Sequence, residues 1–147
     1  MKKLFVIFYL LLFSTPSFSA GVGYINYEKV ASEYQFAKAS MREIETKGRE
    51  IEQYIKNKEI EFNKLETPLQ KQKFQETVQA ELKTKENAFN DFRMKREEQV
   101  YQRIYAVAEK IRLEKNLDVL IDARGVFSGG IDISDILIQK LNQNGLK

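Results

Sequence analysis

From Phe36 to Lys115 the chain runs for eighty residues with a single proline, Pro68, and a single glycine, Gly48. The rest of that run is dominated by lysine, glutamate, glutamine and spaced apolar residues, which are good helix formers. In its first half the apolar residues recur at steps of three and four: Met41, Ile44, Ile51, Ile55, Phe62, Leu65 and Leu69. Written as heptads, position a falls on 41, 48, 55, 62 and 69 and position d on 44, 51, 58 and 65. Seven of these nine positions are apolar, and Gly48 and Lys58 interrupt the seam. A seam of this period predicts a coiled coil rather than a lone amphipathic helix.

The run is punctuated once, at Thr67-Pro68-Leu69-Gln70. Proline is tolerated in the first turn of a helix, where its missing N–H has no partner to lose. Thr67 can cap the new helix, and Gln70 three residues on completes a capping box. The alternative is a kink in one continuous helix. The cap chemistry favours a restart, so Thr67, Pro68 and Gln70 are expected at the tip of a helical hairpin. The return arm repeats the seam with Val78, Leu82, Phe89 and Phe92, stretches through Arg96 to Val100, and resumes with Ile104, Val107 and Ile111. At about 1.5 Å per residue the outgoing arm is about 46 Å long and the return arm about 72 Å. The longer arm has to continue into whatever the chain ends build.

Only the two ends look β-like. GVGYINY (Gly21 to Tyr27) lies at one end; LDVLID (Leu117 to Asp122) and RGVFS (Arg124 to Ser128) lie at the other, before Gly129-Gly130. Ser134 reads as an N-cap, with Ile133 and Ile138 placed for a hydrophobic staple. The last helix is expected from Asp135 to about Gln143, ending at Asn144-Gly145. The fold class is therefore α+β: a small β-rich association body from residues 20–35 and 116–147, with a hairpin from 36–115 inserted between them. Three short strands cannot cover their own edges. Copies of the chain are expected to join edge to edge through Tyr24, Ile25, Val119, Ile121, Val126, Phe127, Ile133 and Ile136.

The first residues carry an address. Lys2 and Lys3 precede the apolar run Leu4 to Phe13, and STPSFSA follows. That is the form of a cleavable signal peptide over residues 1–19, cut after Ser19 or Ala20, and it predicts export. A membrane anchor would need about 20 apolar residues. Removing this segment takes two lysines with it and leaves an excess of only +1. Such a balance does not suit nucleic-acid binding.

Cysteine and histidine are both absent. Disulfides, thiol chemistry and imidazole chemistry are thereby excluded, and no cofactor motif is present. Asp118, Asp122, Asp132 and Asp135 could in principle meet a divalent cation, but Asp135 reads better as a first-turn charge at a helix N-terminus. The residues suggest no enzyme.

The start GVGYINYEKV, the stretch LDVLIDARGVF with IDISDILIQKLN after it, and the charged helical insert between them resemble the Skp (OmpH-like) family of periplasmic chaperones. The resemblance spans the chain beyond the signal peptide. It implies a homotrimer whose β-rich body holds three helical tentacles around a cavity for unfolded outer-membrane β-barrel proteins, with no ATP and no cofactor. It leaves room for transient contact with the membrane surface. Such a chaperone needs thinly spread apolar contacts. Ile60 at heptad position f, and Tyr54 and Phe74 at flanking g-type positions, are candidates, with Lys71 and Lys73 adding positive charge nearby. For each apolar candidate the competing reading is packing against the partner helix. Tyr101 and Tyr105 are expected to pack against the body instead. A second functional class is a coiled-coil spacer or adaptor that docks one defined partner.

Overall fold

The computed structural model describes residues 21–144; the expected signal peptide, Ala20 and the Gly145 stop lie outside the described residues. Strand β1 (Val22–Ile25) leads into a short helix α1 (Tyr27–Glu33). Two long helices follow, α2 (Gln35–Asn63) and α3 (Pro68–Glu114). The chain closes with β2 (Val119–Asp122), a 3-10 turn (Ala123–Gly125), β3 (Ile131–Asp132) and α4 (Ser134–Asn144). All strand pairing is parallel, in the order β2-β1-β3, with Val22 beside Val119, Tyr24 beside Ile121 and Gly23 beside Ile131. The chain is mostly helical, an α+β fold with one long helical hairpin.

The third strand is not where the sequence suggests. RGVFS forms the 3-10 turn and the loop after it, because the Asp122 carboxylate accepts from the backbone N–H and guanidinium of Arg124 and curls the chain off β2. Pairing resumes at Ile131, after Gly129 and Gly130 supply positive φ values of 80° and 89°. Val126 and Phe127 therefore belong to a loop, not a strand.

Polar side chains stitch the two ends together. Asn26 caps α1 through the Lys29 N–H, and its own N–H donates to Ser134 Oγ at 2.9 Å. Ser134 is thus not the cap of α4: it sits inside the first turn, and the Asp132 carboxylate accepts from both its N–H and its hydroxyl. Asn142 spans the break between α1 and α2, accepting from the Gln35 N–H and donating to the Glu33 carbonyl. Gly21 and Asp118 exchange bonds at the mouth of the sheet.

Ser134 is 1% exposed. Replacing it with Ala strands the Asn26 N–H and is expected to cost about 1–3 kcal/mol in chemical unfolding. The Ser134 hydroxyl and N–H hold the Asp132 carboxyl below the usual carboxylate range. The stability linked to that group is present above its unfolded pKa and lost as pH falls through the lower folded value. The Ser134→Ala variant should accordingly show a flatter loss of stability below about pH 4 than the natural chain.

The core lies at the root of the hairpin. Val30 and Tyr34, Ala37 from α2, Val100, Ile104, Ala108 and Ile111 from α3, and Ile133, Leu137, Ile138 and Leu141 at the C-terminal end all pack there. This helical layer covers one sheet face. Gly23 is required on that face, since a Cβ there would lie 2.5 Å from Leu120 and 2.6 Å from Leu117. Strand alternation sends Val22, Tyr24, Val119 and Ile121 to the opposite face. Val22, Val119 and Ile121 are 38%, 42% and 37% exposed there. Parallel sheets are ordinarily covered on both faces; on the second face of this one the described residues leave Val22, Val119 and Ile121 partly open.

Candidate functional site

Two surfaces are candidates: the hairpin that projects from the body and the bare sheet face. The tip of the hairpin is built as its residues dictate. Thr67 Oγ1 accepts from the Gln70 N–H and the Gln70 side chain accepts from the Thr67 N–H, so α3 restarts at Pro68 on a full capping box.

Along the arms the seam is wider than a strict a/d register. Tyr54 and Phe74 lie in it rather than beside it. Tyr54 donates its hydroxyl to Glu81 across the hairpin, and the Phe74 ring meets Phe62 with centroids 6.3 Å apart. That bond to the Glu81 carboxylate pushes the Tyr54 phenol up to about 12, so it stays a neutral donor over the whole physiological range. Both residues are half-buried. The physical reason is reach: in an antiparallel pair a long aromatic side chain at a flanking position spans to the other helix.

Lys58, an apparent break in the seam, places its ammonium over the Tyr54 and Phe74 rings at 5.7 and 5.6 Å, while Gly48 lies across from the Phe89 ring. Lys71 covers Phe62 at 5.5 Å. Lys47 does the same at Phe92, Lys85 at Tyr54 and Arg103 at Phe36. Arg96 and Glu43 add a cross-arm ion pair. Aromatic–cation contacts therefore add to the aliphatic seam along the hairpin. Lys73 is exposed, and Ile60, 48% exposed, faces away from the seam.

Grooves open along the hairpin, and the two larger of them have mainly apolar linings. One, of about 780 Å³, lies at the root and is lined by Tyr27, Ala37, Met41, Ile44 and Val100 with a charged rim. The other, of about 580 Å³, lies nearer the tip between Ile55, Phe62, Phe74, Val78 and Leu82. Met41 and Ile55 are 57% and 45% exposed although both occupy a positions of the heptad. Packing leaves them on the open side of the pair. The heptad assigns both to the seam, so their exposure is not readable from the sequence.

Tyr101 and Tyr105 are not packed away against the body. They stack on each other with ring centroids 6.3 Å apart and remain about half exposed. The four carboxylates considered for a cation are engaged elsewhere: Asp118 with the Gly21 N–H, Asp122 with Arg124, Asp132 with Ser134 and Asp135 with Lys29. Among the described residues no group of three carboxylates converges on a metal position, and no helix is long and apolar enough to cross a membrane.

A sheet-based body thus stands at the root of one long helical hairpin with open grooves. The family profile of outer membrane proteins (OmpH-like) matches residues 21–141, and the chain belongs to that family. The crystal structure of a candidate outer membrane chaperone (OmpH-like) from Caulobacter crescentus shares the fold at a TM-score of 0.61 and 14% identity, over 85% of each chain. No curated protein sequence matches the chain. Family and fold together support a chaperone role in general terms.

Proposed function

We propose that this protein is an ATP-independent periplasmic holdase, exported by the segment 1–19, that binds unfolded outer-membrane proteins and keeps them from aggregating. Residues 20–35 and 116–147 would supply the association body, and residues 36–115 the arm that reaches around the client. The observation that carries the reading is the pairing of a bare apolar sheet face with an arm whose grooves stay open. The face calls for other copies, and a homotrimer would set several arms around one space.

An unfolded β-barrel chain alternates apolar and polar residues and exposes unpaired strand edges. Shallow grooves centred on Met41, Ile44 and Ile55, with Ile60 as an outlying contact, suit such a chain better than one deep pocket. A small positive excess on the return arm, to which Lys73 contributes, would favour encounter with acidic clients and weaken with salt. The same charge would allow brief contact with an anionic membrane surface.

The reading is tested by diluting a urea-unfolded β-barrel protein into the purified chaperone and sizing the mixture. The expected product is a soluble complex of one client with one oligomer, formed without nucleotide and resolved by size exclusion. Recovery of the client only in the pellet would contradict the proposal.

A further inference from the structure

The chain has no cysteine, histidine or tryptophan, and of its three methionines Met1 lies in the expected signal peptide. Where thiols are absent, the methionine sulfur is the side-chain atom that peroxide attacks. That chemistry is therefore concentrated on two thioethers, Met41 on α2 and Met94 on α3. Both are open to solvent, 57% and 56% exposed, so an oxidant reaches each of them. Their surroundings differ. Met41 lines the root groove with Tyr27, Ala37, Ile44 and Val100, whereas Met94 lines neither that groove nor the one near the tip. A thioether suits such a groove, because an unbranched, polarizable side chain adapts to apolar partners of varied shape. The same atom is the only sulfur in the root groove's lining.

We propose that Met41 is a reversible oxidation site through which peroxide turns down client holding. This rests on the holdase reading above and adds its regulation. The sulfur lone pair attacks one oxygen of hydrogen peroxide, and an S–O bond forms as the O–O bond breaks. The sulfur gives up two electrons, and the hydroxide released takes the remaining proton and leaves as water. The product is a sulfoxide, polar and chiral where the thioether was apolar. Its oxygen is hydrated while the groove is empty. A client strand laid over it strips that water away, which disfavours binding. The fold is spared, because Met41 stands outside the buried core at the root of the hairpin. Methionine sulfoxide reductases reverse the change: two thiols are joined as a disulfide, the oxygen leaves as water and the thioether returns.

The test treats the purified protein with hydrogen peroxide until peptide mass spectrometry finds one added oxygen on Met41 and one on Met94. The concentration needed to suppress half of the aggregation of a urea-diluted β-barrel protein is then expected to rise by about tenfold. Helicity and melting temperature should stay as they were, and treatment with sulfoxide reductases should restore holding. Met94→Leu should lose holding on oxidation as the natural protein does. Met41→Leu, compared with its own untreated sample, should show no response to peroxide. Undiminished holding by a protein fully oxidised at Met41 would overturn the oxidation site and leave the holdase reading standing. So would a Met41→Leu variant that peroxide weakens as much as it weakens the natural protein. An untreated protein that holds no client would overturn both.

Discussion

Ile121→Asp and Val119→Asp variants are expected to run as folded single chains at micromolar concentration, and the natural protein is expected there to scatter light as a constant multiple of the chain mass. Both positions lie on the sheet face that the helical layer leaves bare, 37% and 42% exposed in the isolated chain. An aspartate there stays solvated when the chain is alone, so the helical core built on Val30, Ile104, Ile111 and Leu137 should survive, and circular dichroism should keep its full helical signal. Covering the same aspartate with another copy removes an unpaired charge from water, at a cost of about 4 kcal/mol or more per site, which weakens assembly by a factor of about a thousand. Retention of the oligomer would mean that this face is not the one that copies share.

Pairing Met41→Asp with Ile55→Asp should weaken client holding sharply and leave the chaperone's own stability within about 0.5 kcal/mol of the natural value. Each side chain is roughly half exposed at the opening of a groove. Burying the remainder against a client would contribute about 1 kcal/mol apiece, and an aspartate replaces that gain with a desolvation cost. Client affinity is therefore expected to fall by about a hundredfold, read as the chaperone concentration needed to suppress half of the aggregation. Tyr54→Ala offers the contrast. It breaks the cross-arm bond to Glu81 and empties a seam position, so it should loosen the hairpin and lower the melting temperature before it alters client binding. If the double aspartate variant held clients as well as the natural protein, the grooves would not be the holding surface.

Much of the architecture was legible because its signals are local. The heptad of α2, the Thr67-Pro68-Gln70 restart and the β-branched runs at Val22 and Val119 each act through neighbours a few residues away. What was not legible depends on residues a hundred positions apart. The capping of α2 by Asn142, and the transfer of Ser134 from helix cap to acceptor for the distant Asn26 N–H, exist only once the ends have met. The third strand moved from RGVFS to Ile131 because a single Asp122–Arg124 pair turns the chain, which β-propensity cannot register. The candidate site was read less well for a geometric reason. Heptad letters say which residues face the partner helix but not how far a side chain reaches, so Tyr54 and Phe74 stayed open between client contact and packing across the hairpin, and Met41 and Ile55 came out as seam.

The most direct test of the account is light scattering from an unfolded β-barrel protein diluted out of urea, with the purified chaperone present and no nucleotide. One oligomer per client is predicted to hold the scattering near baseline, with protection fading as salt is raised. Scattering that climbs unchanged beside an equimolar intact oligomer, while one native protein binds it tightly, would contradict holding and leave a docking spacer in its place.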